Sequence, residues 1–142
     1  MSLYFAVTIT ILATFFYHIL QSSISTTVNP IISLIVTYSV ALIFSLIFLF
    51  FFPNKPSLIE SFKQLNWASF GLGLAIFGME VGFLLTYRLG WSISLGSVTI
   101  NALAVIALSF FEVVFLKKSI SATNFAGICF CAIGMVFANT KH

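Results

Sequence analysis

The sequence predicts an all-α, polytopic membrane protein with five transmembrane helices. Of its 142 residues, 61% are hydrophobic and only 6% are charged, whereas a soluble domain has about 45–50% apolar and about 25% charged residues. The apolar residues form runs of about 20, the length of helix that crosses the hydrocarbon core of a bilayer. These runs lack the strict alternation of a transmembrane strand. A soluble fold of this composition would leave large apolar patches in water.

Five segments have the length and apolarity of a membrane span, and the connections between them are short. The second span follows Asn29-Pro30, and proline suits a helix start because its missing N–H has no helical partner there. No soluble domain fits in the connections, so we predict a single transmembrane domain over residues 1–142. The predicted spans cover residues 3–25, 31–52, 67–87, 92–116 and 122–138.

The first span carries polar residues at steps of four, four, three and four, which places them on one helix face. Hydroxyl groups can bond back to their own helix, but His18 and Gln21 must find partners elsewhere. Two interpretations stay open: a stripe that lines a polar cavity, or hydrogen bonds that hold helices together. The segment has no basic n-region, so we expect a retained span and not a removed signal peptide. The stripe consists of Thr10, Thr14, His18, Gln21 and Ser25.

The third span carries Glu80 near its middle. A carboxylate at that depth is costly unless it is protonated, paired or facing water, so Glu80 is the main candidate for binding a substrate or proton. The alternative is a protonated, hydrogen-bonded structural glutamate. Tyr87 lies on nearly the same face, whereas Arg88, about 12 Å away along the axis, is expected to anchor the interface. Gly78 and Gly82 form a GxxxG pair that predicts close packing against another helix.

The fourth and fifth spans add polar and small residues. Asn101 and Glu112 fall near one line with two serines and are candidates for lining a cavity. For Glu112 a second interpretation stays open: a partner of Lys117 or a charge at the membrane surface. The fifth span has small residues at steps of four, three and four, which predict tight helix packing. They are Gly127, Cys131, Gly134 and Ala138.

The charged residues give a formal net charge of +3. We interpret the basic residues as a topology signal and expect no nucleic-acid partner, because they are scattered at the ends of apolar runs. More of them lie on the side of the N-terminus, so we expect a cytoplasmic N-terminus in a bacterial inner membrane. The bias is weak, which permits insertion in both orientations. The basic residues are Lys55, Lys63, Lys117 and Lys118 on the N-terminal side, and Arg88 and Lys141 on the other.

The blocks GFLLTYRLGWSIS, FLKKSIS and AGICFCAIGMVFA follow one another in the second half of the chain, and HILQSSISTTVNPIISLIV precedes them. This order resembles a single repeat of the EamA-like family in the drug/metabolite transporter superfamily. The sequence departs from the family pattern at Lys117 and Lys118, where a glycine and a glutamate are usual. The usual proline of span four is also absent, and Asn101 lies in that region.

The resemblance implies a small-molecule or metabolite transporter. The family joins two such repeats in opposite orientations around a midplane site, so one repeat implies a homodimer, and the weak charge bias permits an antiparallel one. Proton coupling would then use Glu80, and the cavity would be lined by Thr14, His18, Gln21, Tyr87, Asn101 and Glu112. The alternative function is a non-transporting membrane subunit or assembly factor. We expect no catalytic residues, no metal and no cofactor, because no such motif is present.

Overall fold

The computed structural model describes residues 3–51 and 57–140. Helices account for 83% of these residues, and the described ranges contain no strand. Five of the helices are long and apolar enough to cross a membrane, which confirms the predicted fold class. The helices are α1 Leu3–Ser23, α2 Pro30–Phe51, α3 Leu58–Lys63, α4 Trp67–Arg88, α5 Ile93–Val114 and α6 Ala122–Asn139.

The observed ends of the membrane helices lie within two residues of the predicted ones. We predicted that the first span reaches residue 25, but α1 ends at Ser23. Beyond it, the Ser25 and Thr27 hydroxyls lie 2.8 Å apart, and the Thr27 N–H donates to Ser25 Oγ. Such local side-chain bonds compete with helix continuation. The predicted end of the second span, residue 52, lies outside the described residues.

A short helix, α3, lies in the segment for which we predicted only a connection. The Ser57 hydroxyl caps it by accepting from the Glu60 N–H. In return, the Ser57 N–H donates to Glu60 Oε2 at 3.2 Å. This reciprocal capping box is encoded by the S-x-x-E spacing. The apolar side chains Ile59 and Phe62 are exposed, an arrangement suited to the boundary between headgroups and acyl chains.

The starts of α2, α5 and α6 are also capped by side chains. The Ser92 and Ser121 hydroxyls accept backbone N–H groups in the first turns of α5 and α6. The Asn29 side chain accepts from the Ile31 N–H at 2.9 Å, just before α2. Because the first N–H groups of a helix lack intrahelical partners, these caps satisfy donors that lie close to lipid.

Two compact units make up the chain. The central unit, Leu20–Arg88, contains α2 packed on α4 and an apolar core of Leu34, Phe83 and Leu84. The terminal unit consists of Met1–Ile19 and Leu89–His142, and α5 packs on α6 within it. In both units most large apolar side chains are exposed and meet the lipid bilayer. The single domain predicted from sequence stays a prediction.

Candidate functional site

A buried polar cluster lies in the central unit. Glu80, on α4, has only 7% of its surface exposed, and Gln21, near the end of α1, has 5%. The Gln21 side-chain amide donates to the backbone carbonyl of Glu80 at 3.0 Å. Gln21 therefore finds its partner on another helix, as its place in an apolar span requires.

Tyr38, on α2, belongs to the same cluster and was not singled out from the sequence. It lies close enough to Glu80 to interact with the charge of its carboxylate. Its hydroxyl oxygen is buried and makes no hydrogen bond to a described residue. The single tyrosine of α2 is the signal that could have found it, because a tyrosine hydroxyl needs a partner when it is buried.

Two further residues of α4 take part in contacts of the central unit. The Tyr87 ring stacks on Phe83, one turn earlier, with centroids 6.0 Å apart. The Arg88 guanidinium donates to the carbonyls of Ser25 and Val28 at 3.0 and 2.8 Å. Arg88 thus holds the connection between α1 and α2, and its predicted place at the membrane–water interface stays a prediction.

An open groove of about 550 Å³ lies in the terminal unit. Three of the predicted cavity residues line this groove: Thr14 and His18 of α1, and Asn101 of α5. Apolar residues of α5 and α6 form the rest of its lining. The predicted and polar lining residues are Thr14, His18, Ser97, Asn101, Cys131 and Gly134.

The glycines predicted to pack tightly make no close contact within the described chain. A Cβ atom built at Gly78, Gly82, Gly127 or Gly134 would have no described atom within 4 Å. Their surfaces are therefore free to approach a helix of another chain, and close packing there stays a prediction. Gly90 has a different role, because its φ of 90° in the turn before α5 is open to glycine and strained for other residues.

Glu112 lies at the surface of the terminal unit. Its Oε1 atom is 3.5 Å from Lys118 Nζ, and both side chains are about half exposed or more. The structure therefore pairs Glu112 with Lys118, whereas one of the interpretations that stayed open from the sequence named Lys117 as its partner. Lys117 has a φ of 51°, which turns the chain and brings Lys118 back towards the helix end.

A second cavity, of about 560 Å³, lies at one end of the terminal unit. The Asn139 amide at its edge donates to Thr99 Oγ1 at 2.8 Å and so ties α6 to α5. Sequence reasoning missed Asn139, although an amide in the last turn of an apolar helix is a signal for an interhelical bond. The cavity is lined by Gly90, Trp91, Ser92, Leu95 and Asn139.

The predicted site residues therefore fall into separate places. Thr14, His18 and Asn101 line the groove of the terminal unit. Gln21, Glu80 and Tyr87 belong to the central unit. The groove offers hydrogen-bonding groups in an apolar setting, which suits binding of a small molecule. The central cluster offers a buried carboxyl group, which suits the uptake and release of a proton.

Comparison with known proteins gives one match. The family model described as the EamA-like transporter family matches residues 1–140. Searches of curated proteins and of solved structures returned no match. The family match covers nearly the whole chain and agrees with its five membrane-spanning helices. The chain therefore belongs to the EamA-like transporter family, part of the drug/metabolite transporter superfamily.

Proposed function

We propose that the chain is one repeat of a homodimeric small-molecule carrier, in which Glu80 takes up and releases a proton during each cycle. The observation that carries this proposal is the burial of Glu80 within a membrane-spanning helix. An ionised carboxylate is costly in that setting. The protonation of Glu80 therefore depends on whether the site faces water, and this dependence couples a proton to a change of access.

The number of helices supports the homodimer. Carriers with inverted repeats move substrate at the interface between two repeats, and this chain supplies five spans. Two copies together supply the two repeats. The open faces at Gly78 and Gly82 support this assembly, because glycine pairs of this spacing let two helices approach closely.

The polar residues divide between two tasks in this proposal. Thr14, His18 and Asn101 bind the substrate in the groove that they line. Gln21 and Tyr87 shape the surroundings of Glu80 in the central unit. The surface pairing of Glu112 with Lys118 supports a role at the membrane boundary instead of in the transport path.

A second candidate function is a non-transporting membrane subunit. It is favoured by the hydrogen bond from Gln21 to the Glu80 carbonyl, because interhelical bonds of this kind also occur where polar residues serve only to hold helices together. The two candidates differ in whether a proton gradient drives a solute through the protein.

Transport in proteoliposomes separates these candidates. We expect the purified chain to accumulate at least one solute from a metabolite mixture when a pH gradient is imposed, measured by mass spectrometry of the vesicle contents. Glu80→Gln should abolish the gradient-dependent part, because an amide cannot exchange a proton at that place. Glu60→Gln is the matched control, since glutamine at this position keeps the capping box of α3.

The outcomes are distinct. Gradient-driven accumulation that is unchanged in Glu80→Gln removes this carboxyl group from the mechanism. No accumulation by the unmodified chain, although it assembles as a dimer in the same vesicles, favours the non-transporting subunit.

A further inference from the structure

The groove of the terminal unit contains hydrogen-bonding groups that the described chain does not satisfy. The side-chain amide of Asn101 makes no hydrogen bond to a described residue, and neither does the Thr14 hydroxyl. Other threonines of α1 behave differently: Thr8 and Thr10 donate to the carbonyl four residues earlier, at 2.8 and 2.9 Å. The open hydroxyl of Thr14 is therefore a property of the groove and not of threonine in this helix.

Asn101 lies near the middle of α5, and its side-chain amide has no hydrogen-bonding partner there among the described residues. It lies eight residues after Ile93, the start of α5, which corresponds to about 12 Å along the helix axis. In the middle of a membrane-spanning helix, an amide without a hydrogen-bonding partner is costly. An acyl chain cannot satisfy it, because it has neither donor nor acceptor. The Asn101 amide therefore needs a hydrogen-bonding partner from outside the described chain, and a polar solute in the groove can supply it.

The rest of the lining defines the chemistry of that occupant. The groove, at about 550 Å³, lies within the range of about 300–1,000 Å³ of small-molecule sites. Among the residues that the structure describes, its lining contains no Asp, Glu, Lys or Arg, so none of them supplies a fixed charge for a charged ligand. Asn101 offers a carbonyl oxygen and two N–H donors. Val98, Val105 and Met135 offer apolar contact to the remainder of the ligand.

We infer that the groove binds uncharged amphipathic molecules whose head group both donates and accepts hydrogen bonds, such as a carboxamide or an alcohol on an apolar body. This inference rests on the proposed carrier function and names its substrate class. The head group lies between Asn101 and Thr14, and the apolar body lies along α5 and α6.

Cys131 makes the inference testable, because it lines the groove and is exposed, whereas Cys129 is not part of the lining. Cys129→Ala leaves Cys131 as the single thiol, and Cys131→Ala leaves Cys129 as the matched control. The alkylation rate with N-ethylmaleimide is measured on the full chain in lipid nanodiscs. The probes share one apolar body and differ in the head group: phenylbutanamide, phenylbutanoate, phenylbutylammonium and butylbenzene.

We expect phenylbutanamide to slow the alkylation of Cys131 about tenfold at about ten times its dissociation constant. The other probes should change the rate less than about twofold at the same concentration, and Cys129 should be unaffected by all of them. Asn101→Leu should raise the amide concentration for half protection by roughly three- to tenfold. Ser109→Ala is the control on α5, because this hydroxyl donates to the Val105 carbonyl of its own helix.

Three results would overturn the inference. Equal protection by butylbenzene means that the groove accepts any apolar chain, including a lipid tail. Stronger protection by phenylbutanoate or phenylbutylammonium means that the ligand is charged. A protonated His18 would attract the anion of the two. A Cys131 that does not react without probe means that water does not reach the groove, and then no solute enters it from water. Protection by phenylbutanamide without gradient-driven uptake leaves the ligand class standing and rejects the carrier function.

Discussion

The hydrogen bond between Gln21 and Glu80 uses a backbone acceptor, and this choice suits a membrane interior. A helical carbonyl accepts one bond from the N–H four residues later and keeps a second lone pair. The Glu80 carbonyl can therefore accept from Gln21 without loss to α4. The bond joins the end of α1 to α4 within the central unit, and it buries the one amide of the α1 stripe without leaving it unsatisfied.

Replacing Gln21 tests the energetic contribution of this bond. We expect Gln21→Leu to lower the free energy of unfolding by about 0.5–1.5 kcal/mol, the range found for interhelical hydrogen bonds in membranes. The measurement is denaturant unfolding in mixed micelles. Ser39→Ala is the control, because its hydroxyl donates to the Ile35 carbonyl of its own helix. A loss in Gln21→Leu no larger than that of the control would show that the bond contributes nothing.

The sequence identifies which residues need partners more readily than it identifies the partners. The spacing of Thr14, His18 and Gln21 predicts one face of α1, because helix periodicity is local. Gln21 meets Glu80 across 59 positions of sequence, and no local spacing encodes such a contact. Tyr38 was missed for the same reason, since only the packing of α2 on α4 brings its hydroxyl near Glu80.

The end of α5 depends on a residue with an unfavourable backbone conformation. Lys117 has a φ of 51°, a region that L-residues with a Cβ rarely adopt. The Lys118 N–H then donates to the Glu112 carbonyl at 3.2 Å and satisfies the helix end. The glycine that the family resemblance leads us to expect at this position would fit the turn, because glycine adopts positive φ without steric cost.

Replacing Lys117 by glycine should therefore stabilise the protein. We expect Lys117→Gly to raise the free energy of unfolding by about 0.5–1 kcal/mol, because relief of strain exceeds the added chain entropy of the unfolded state. Lys117→Ala is the matched control, since it removes the same charge and keeps the strain. The measurement is thermal unfolding in detergent, and an equal effect of the two substitutions would show that the charge, not the backbone, determines stability here.

For a single helix, its exact ends are harder to predict from the sequence than its existence. The five membrane helices were identified because the bilayer fixes their length and composition, and the structure confirms them. The ends depend on a few local bonds, such as those of Ser25 and Thr27 after α1. The helix α3 was encoded by Ser57 and Glu60, but six residues give too little periodicity to indicate a helix without its cap.

At the scale of the whole molecule, the proposed homodimer depends on the direction in which each copy crosses the membrane. An antiparallel homodimer requires copies that insert in both directions. The basic residues permit this, because the Lys and Arg difference between the two sides is small. The exposed glycines of α4 and α6 supply faces that a second copy could approach.

Cysteine accessibility measures the orientation directly. In a background without Cys129 and Cys131, single cysteines are introduced by Leu65→Cys, just before α4, and by Leu89→Cys, just after it. The two positions are therefore expected on opposite sides of the membrane. We expect a membrane-impermeant maleimide added outside intact cells to label roughly half of the molecules at either site, as a weak charge bias predicts. Labelling of every molecule at Leu89→Cys and of none at Leu65→Cys would exclude the antiparallel assembly.

Fixing the orientation then tests whether both directions are needed for function. Gln64→Lys with Ser119→Lys raises the Lys and Arg balance to six on the N-terminal side against two on the other. Lys55→Gln and Lys63→Gln with Leu89→Lys and Thr140→Lys reverse it to two against four. Because each variant alone supplies repeats of a single direction, we expect each to lose gradient-driven uptake and the co-expressed pair to regain it. Full uptake by either variant alone would show that the repeats assemble in parallel.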